Sequence, residues 1–367
     1  MSFSSPTSPV SGVGSTVGHA VAFDAVVIGA GVIGLMTAIE LADAGLQVAL
    51  LDQQQFGRES SWAGGGILAP LQPWLHPVPL HHLHLFSLQL YPQWIERLRT
   101  ETGVDPQHYA CGMTVLQHGD AAVQLRAWTT TTPLAHQWQG ETLYWPQHAN
   151  ICNPQLLKGL KQLVQQHPAI SCFPHTQVTD LAANRVQTTE RTFNCDHMVM
   201  AAGAWSGVLA QRCGFHLDVF PVKGQMLLYE VPQPALTQMR MVDEHYLIPR
   251  QNGQIIVGST VEAAGFDVLP SAKAYAQLKQ AAENLYPPLR HTAILAQWSG
   301  LRPGSRQSLP FIGAHPQLKN LWINSGHFRN GLCLAPASAK LLVQQLLGVN
   351  PTIEAQPFQL GLLSTLQ

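Results

Sequence analysis

The sequence predicts a mixed α/β fold in which a doubly wound, largely parallel sheet is interrupted by a second, mixed but mainly antiparallel sheet. Three observations carry that expectation. The apolar run Asp24-Ala25-Val26-Val27-Ile28 ends in Gly29-Ala30-Gly31-Val32-Ile33-Gly34, and a helical pattern then leads to Val48-Ala49-Leu50-Leu51, closed by Asp52. A later run, His197-Met198-Val199-Met200-Ala201, ends in a second small-residue turn, Ala202-Gly203-Ala204-Trp205-Ser206, as a doubly wound sheet with its ligand at the strand ends requires. From about Pro221 to Trp298 the pattern changes to runs joined by short turns, which read as antiparallel strands.

Each residue type in the first turn has a physical task. Gly29 permits the sharp exit from the strand, Gly31 leaves room for a pyrophosphate, and Gly34 lets the helix pack closely on the sheet. Val32 and Ile33 open that helix, whose free N–H groups and dipole favour an anion. Asp52 stands where a carboxylate accepts hydrogen bonds from the adenosine ribose hydroxyls, and an acid there repels the extra phosphate of NADP. The implied ligand is a dinucleotide with an unphosphorylated ribose, FAD or NAD. A glycine turn alone is a weak signal, but here the strand before it, the helix Leu35 to Ala44 and the placed acid agree.

Composition fits a two-part globular enzyme. With 46% hydrophobic and 11% charged residues, the 367-residue chain buries a sizeable core. Its 20 Lys and Arg against 21 Asp and Glu provide no basic footprint for nucleic acid or an anionic membrane. No apolar run is long enough to cross a bilayer. Residues 1–22, rich in Ser, Gly, Thr and Pro, read as a flexible tail, without the basic start and apolar core of a signal peptide. Cys111, Cys152, Cys172, Cys195, Cys213 and Cys333 are scattered without a CxxC pair, as reduced thiols of a cytoplasmic protein are. His76, His81, His82 and His84 crowd one segment, yet only His81 and His84 share a helix face and no carboxylate joins them, so no metal is expected.

Past Asp52, Glu59-Ser60-Ser61-Trp62-Ala63-Gly64-Gly65-Gly66-Ile67-Leu68-Ala69-Pro70 sets two hydroxyls before a glycine run. Ser60 and Ser61 suit a phosphate or a helix cap, and Gly64, Gly65 and Gly66 let backbone approach a flat ligand. A nicotinamide enzyme has no special need of this segment; a larger dinucleotide threading the protein does. A helix follows through Phe86, Leu90, Trp94 and Leu98, then a strand from Gly112 to Leu116 and a helix opened by Asn153-Pro154-Gln155 and running through Val164. Thr176 to Thr179 reads as a strand that brings the Val178 backbone beside adenine. Gly224 to Glu230, His245 to Arg250 and Gln254 to Ser259 read as antiparallel strands, the last two joined at Gln251-Asn252-Gly253. Gly300-Leu301-Arg302-Pro303-Gly304 then precedes a last strand, Leu321 to Asn324, the turn Ser325-Gly326-His327-Phe328-Arg329-Asn330-Gly331-Leu332, and a helix from about Ala335 to Leu347. The expected division is a discontinuous cofactor-binding domain over residues 23–80, 150–220 and 299–350, a substrate-binding domain over 81–149 and 221–298, and a C-terminal tail over 351–367.

The stretches GAGVIG with Asp52, ESSWAGGGILAP, MVMAAGAWS, FPVKGQMLLY, HYLIPR, SGLRPGS and SGHFRNGLCLAPASA span about Phe23 to Leu347. Together they resemble the D-amino acid oxidase and sarcosine oxidase family of FAD enzymes, and within it the glycine oxidase branch of thiamine biosynthesis. The resemblance implies a Rossmann-like FAD-binding domain with an inserted substrate domain. It implies FAD contacts at Gly29, Gly31, Val32, Ile33, Gly34, Asp52, Ser60, Ser61, Gly64, Gly65, Gly66, Val178, Ala202, Gly203, Trp205, Gly300, Arg302, His327, Arg329, Asn330, Gly331 and Leu332. Monomeric sarcosine oxidases tether FAD through a cysteine just before the resumed domain; no cysteine lies between Cys213 and Cys333, so non-covalent FAD is expected. The implied partners are a small amino acid and molecular oxygen, with no nucleic acid or membrane, and relatives are often tetramers.

The same resemblance implies catalytic and substrate-binding roles that side-chain chemistry supports. Arg302 presents a planar donor fork suited to a carboxylate, and Tyr246 can donate its hydroxyl to the same group. Arg329 would support that carboxylate or tune flavin charge; spacing alone does not decide which arginine binds substrate. The implied reaction is hydride transfer from a small amino acid to flavin, giving an imine that is hydrolysed to glyoxylate and ammonia, or passed on in the thiamine pathway, while oxygen becomes hydrogen peroxide. Because the amine can bind neutral, no side-chain base is required. Val261 is smaller than the residue expected beside a glycine-sized pocket. If it lines the site, sarcosine and D-alanine also enter, since a methyl group is worth only about 1 to 3 kcal/mol. Three other readings remain: a flavin dehydrogenase passing electrons to a quinone or carrier, an oxidase acting on a modified RNA base, and a non-catalytic FAD-binding protein. Near-neutral charge speaks against the second, and the carboxylate clamp against the third.

Overall fold

The computed structural model describes residues 21–231 and 236–361. All but the last two residues of the expected N-terminal tail therefore lie outside the described residues, and those two already belong to the strand Val21–Ile28.

Two sheets form, as the change of pattern near Pro221 predicts. The first runs in the spatial order Phe311–Ala314, Leu321–Ser325, Thr192–Met200, Val21–Ile28, Val48–Leu51, Ile170–Phe173. Its central strands are parallel, the edge pair Phe311–Ala314 with Leu321–Ser325 is antiparallel, and the hairpin Val178–Ala182 and Arg185–Thr188 extends from Thr192–Met200. Val48–Leu51 is buried on both faces, which is why it reads as an unbroken apolar run. The helices Val32–Asp43, Asn153–Gln166, Val78–Thr102 and Gly331–Leu346 cover one face with a continuous core that includes Val27, Leu35, Leu98, Leu160 and Leu342.

The second sheet runs Ile294–Gly304, Phe220–Glu230, Gln254–Gly258, His245–Pro249, Met239–Val242, Met113–Leu116, Thr142–Trp145, Gln137–Gln139. Its pairs are antiparallel except Met239–Val242 with Met113–Leu116, which are parallel. The helix Ala272–Leu285 packs on one face through Leu278 and Ala282.

Three boundaries differ from expectation. The helix Val78–Thr102 falls, from residue 81 onward, in the expected substrate domain, but its Leu83, Trp94 and Leu98 are buried in the core of the parallel sheet against Gly331–Leu346 and Asn153–Gln166. Periodicity reveals an apolar face without naming its partner. Residues 351–361 are not a tail: Phe358, in the turn Gln356–Phe358, is fully buried in that same core. The last helix begins at Gly331, before Pro336, instead of at Ala335. Pro336 has no N–H for the Leu332 carbonyl one turn back, and the Tyr91 hydroxyl, from Val78–Thr102, donates to that carbonyl at 2.5 Å in its place.

Candidate active site

The turn after Val21–Ile28 is held by contacts that only glycine allows. Gly29 has φ +101°, and a Cβ on it would stand 2.4 Å from the Ala201 carbonyl oxygen; a Cβ on Gly34 would stand 1.8 Å from the Gly29 oxygen. Strand, helix and the second turn are thus packed backbone to backbone. The Asp52 carboxylate is oriented by two backbone donors, Ala30 N at 2.7 Å and Gln54 N at 2.8 Å. Burial raises its pKa, and those two N–H groups oppose the rise. At the helix N-terminus, Val32 N donates to Ser61 Oγ at 2.9 Å, which brings the Ser60–Ala63 turn over the glycine turn.

Two adjoining cavities follow the ends of the parallel strands. Gly29, Asp52, Val178, Ala202 and Trp205 line one. Val32, Ile33, Gly64, Gly65, Gly66, Tyr246, Gly300, Arg302, His327, Arg329, Gly331 and Leu332 line the other. Gly31, Ser60, Ser61 and Gly203 line both, so the two form a continuous path from the Asp52 end to the second sheet. Of the residues expected at the cofactor, only Gly34 and Asn330 line neither: Gly34 is a packing residue, and Asn330 is buried at the start of the last helix.

At the second sheet the path ends among cations. Arg302 Nη1 donates to the Thr260 carbonyl at 3.0 Å and the Lys223 carbonyl at 3.4 Å. Burial pushes the pKa of Arg302 down; the neighbouring Tyr246 phenol works against that shift and the Arg329 charge adds to it. Tyr246 is buried, with its hydroxyl 3.8 Å from Met226 Sδ. Arg329 Nε and Nη2 are buried with no hydrogen-bond partner, an arrangement that costs free energy unless an acceptor fills it. His327 is buried with Nε2 3.0 Å from Ser338 Oγ, and burial lowers its pKa to about 3. It shapes the turn as a neutral ring.

Val261 does not line this path. Its side chain is 49% exposed. Beyond the strand Gln254–Gly258, Thr260 and Glu262 turn inward to Gln225, and Glu262 pairs its backbone with Lys223. Extended-chain alternation sends the residue between them outward. Two site residues escaped the sequence reading. A Cβ on Gly224 would lie 2.1 Å from the Arg302 guanidinium, so the strand Phe220–Glu230 is bare where Arg302 crosses it; a glycine inside a strand is itself a sign of close approach. Asn153 reads only as a helix opener, yet it lines the cavity, donates to the Ser61 carbonyl at 2.8 Å and leaves Oδ1 unpartnered.

Two adjoining cavities along the ends of parallel strands, one reaching Arg302 and Arg329 beside the second sheet, are the architecture of a dinucleotide-binding protein. The chain belongs to the DAO family of FAD dependent oxidoreductases, whose family model matches residues 24–345. It is 41% identical to the glycine oxidase of Pseudomonas putida over 353 residues, which cover 91% of this chain and 97% of that protein. It is 39% identical to the glycine oxidase of Pseudomonas aeruginosa, with the same coverage of 91% and 97%. The crystal structure of glycine oxidase from Geobacillus kaustophilus superimposes with a TM-score of 0.87 at 27% identity, covering 93% of this chain and 99% of that one. No described helix is long and apolar enough to cross a membrane.

The residues present fit FAD. The glycine turn, the oriented Asp52 and the Gly64–Gly66 segment all face one continuous path, and the orphaned Arg329 donors and Asn153 Oδ1 provide hydrogen-bonding groups for a polar ring system.

Proposed function

We propose that the chain oxidises glycine to the imine, which water converts to glyoxylate and ammonia, and that sarcosine and small D-amino acids are further substrates. The observation that carries this reading is the meeting of Arg302 and Tyr246 in the same cavity as the Gly64–Gly66 segment; the glycine oxidase names of the two Pseudomonas relatives support it. Arg302 offers a forked, desolvated cation to the substrate carboxylate, and Tyr246 a hydroxyl to the same group. Holding the carboxylate at two points limits the rotations of the Cα–H, which is the main service a protein gives to such a reaction. Bound FAD supplies the two-electron oxidation and returns the electrons to molecular oxygen as hydrogen peroxide. His327 is tied to Ser338, and burial makes it a weak base; a substrate bound as the free amine needs no side-chain base. The exposure of Val261 removes the argument that a small residue there widens the site. An imine released before hydrolysis would serve thiamine thiazole synthesis.

The test is spectroscopic. The holoenzyme is mixed with glycine without oxygen and then aerated. Bleaching of the flavin band, recovery in air and one peroxide per glyoxylate are expected. Bleaching without recovery would assign a dehydrogenase, and no bleaching by glycine alongside bleaching by sarcosine, D-alanine or D-proline would transfer the activity to those substrates.

A further inference from the structure

The geometry points to Arg250 as the residue that fixes the Gly64–Gly66 loop for FAD, acting through the loop as a positioning residue and placing a permanent positive charge behind it. The strand His245–Pro249 and its exit present Tyr246, Ile248 and Arg250 at the two-residue period that puts side chains on one face. All three sit under the loop. A Cβ on Gly65 would stand 2.6 Å from Ile248 Cδ1 and 3.5 Å from Tyr246 Cε2, and a Cβ on Gly66 would stand 3.1 Å from Arg250 Nη2. The guanidinium donates from Nη1 to Asn150 Oδ1 at 2.6 Å and the Ile151 carbonyl at 2.7 Å, and from Nη2 to the Gly65 carbonyl at 2.9 Å.

Three glycines in a row have no side chains with which to hold a shape. Their shape comes from neighbours: Ile151 N donates to the Gly66 carbonyl at 2.8 Å, Asn153 Nδ2 to the Ser61 carbonyl at 2.8 Å, and Arg250 closes the set by joining Ile151 to Gly65. A planar fork reaches the two carbonyls from two separate nitrogens in a fixed geometry; an ammonium must span them from a single nitrogen. Arg250 is buried and, among the described residues, has no ion pair with a carboxylate. An uncompensated buried cation is costly to stability, and its position behind a loop that lines the cofactor path lets it offset the negative charge FAD gains on reduction.

The experiment compares wild type, Arg250→Lys and Arg250→Met by FAD dissociation constant, flavin midpoint potential and thermal unfolding of the FAD-stripped protein. None of these uses substrate, so the result does not depend on the glycine reading. Arg250→Met is expected to weaken FAD binding at least tenfold and to lower the potential, with the stripped protein unfolding near the wild-type temperature. Arg250→Lys, a cation without the fork, is expected to keep the wild-type potential while regaining only part of the affinity. Wild-type affinity and potential in Arg250→Met would overturn the assignment. Should Arg250→Met not fold, Arg250→Lys decides: wild-type FAD affinity in that variant overturns it.

Discussion

At the scale of single residues, the site is legible where the chemistry of a side chain limits its use. An arginine and a tyrosine can be matched to a carboxylate from their donor geometry alone, and both the half-buried Arg302 and the buried Tyr246 line the cavity. Arg302→Ala is expected to cut kcat/KM for glycine by about a hundredfold to a thousandfold, the effect of removing one partner of a desolvated charge pair, with the flavin spectrum retained. Loss of the spectrum would instead make Arg302 a cofactor residue. Tyr246→Phe removes one hydrogen bond to a charged group and is expected to raise KM about tenfold, or ~1.4 kcal/mol. Steady-state kinetics on the two variants check both. The residues that sequence misplaced owe their positions to chain geometry. Val261 points outward because its neighbours Thr260 and Glu262 are claimed by Gln225. Gly224 belongs to the site because the guanidinium of a neighbouring strand lies across it, a consequence of strand register that no local pattern encodes.

At the scale of elements, the last helix illustrates a start signal overridden by tertiary structure. Gly331 and Pro336 are both poor residues for a helix, and read alone they delay its start to Ala335. The helix nevertheless begins at Gly331, because a phenol from another helix takes over the donor that Pro336 lacks. The Tyr91 hydroxyl is buried and reaches the Leu332 carbonyl at 2.5 Å; burial raises its pKa well above the ordinary tyrosine value, so it remains a donor. Leu332 also lines the cofactor path, which ties the integrity of this turn to FAD. Tyr91→Phe orphans the carbonyl and is expected to cost about 1 to 3 kcal/mol. Pro336→Ala returns an N–H to the helix, so Tyr91→Phe in the Pro336→Ala background is expected to cost clearly less. Urea unfolding of the four proteins of this double-mutant cycle measures the coupling. Equal costs in both backgrounds would show that the phenol does not replace the proline's missing donor.

At the scale of the whole molecule, the two-sheet architecture was readable because its parts announce themselves locally: a buried parallel strand is an unbroken apolar run, and a glycine turn with a downstream acid marks the first crossover. What was not readable is which layer each helix joins, since Val78–Thr102 carries an apolar face that fits either sheet until the partner helix Gly331–Leu346 is placed. That layered burial also sets the response to acid. His84, His148 and His327 are 2%, 5% and 3% exposed, and burial lowers their pKa values to about 4, about 3 and about 3. In the unfolded chain each titrates near 6.5. Between about pH 6.5 and pH 4 these three groups alone let the unfolded state bind up to three more protons than the native state, and their contribution to stability falls as pH falls. Each such proton is worth ~1.4 kcal/mol per pH unit, giving a slope of about 4 kcal/mol per unit near pH 5. Urea unfolding of the holoenzyme at pH 7, 6 and 5, with FAD held at one saturating concentration so that ligand linkage is constant, is expected to show that decline. His148→Gln, which removes one of these groups, should flatten the slope by up to about 1.4 kcal/mol per pH unit. Constant stability from pH 7 to 5 in the wild type would mean that the three rings take up protons inside the fold, and that the core around them admits charge.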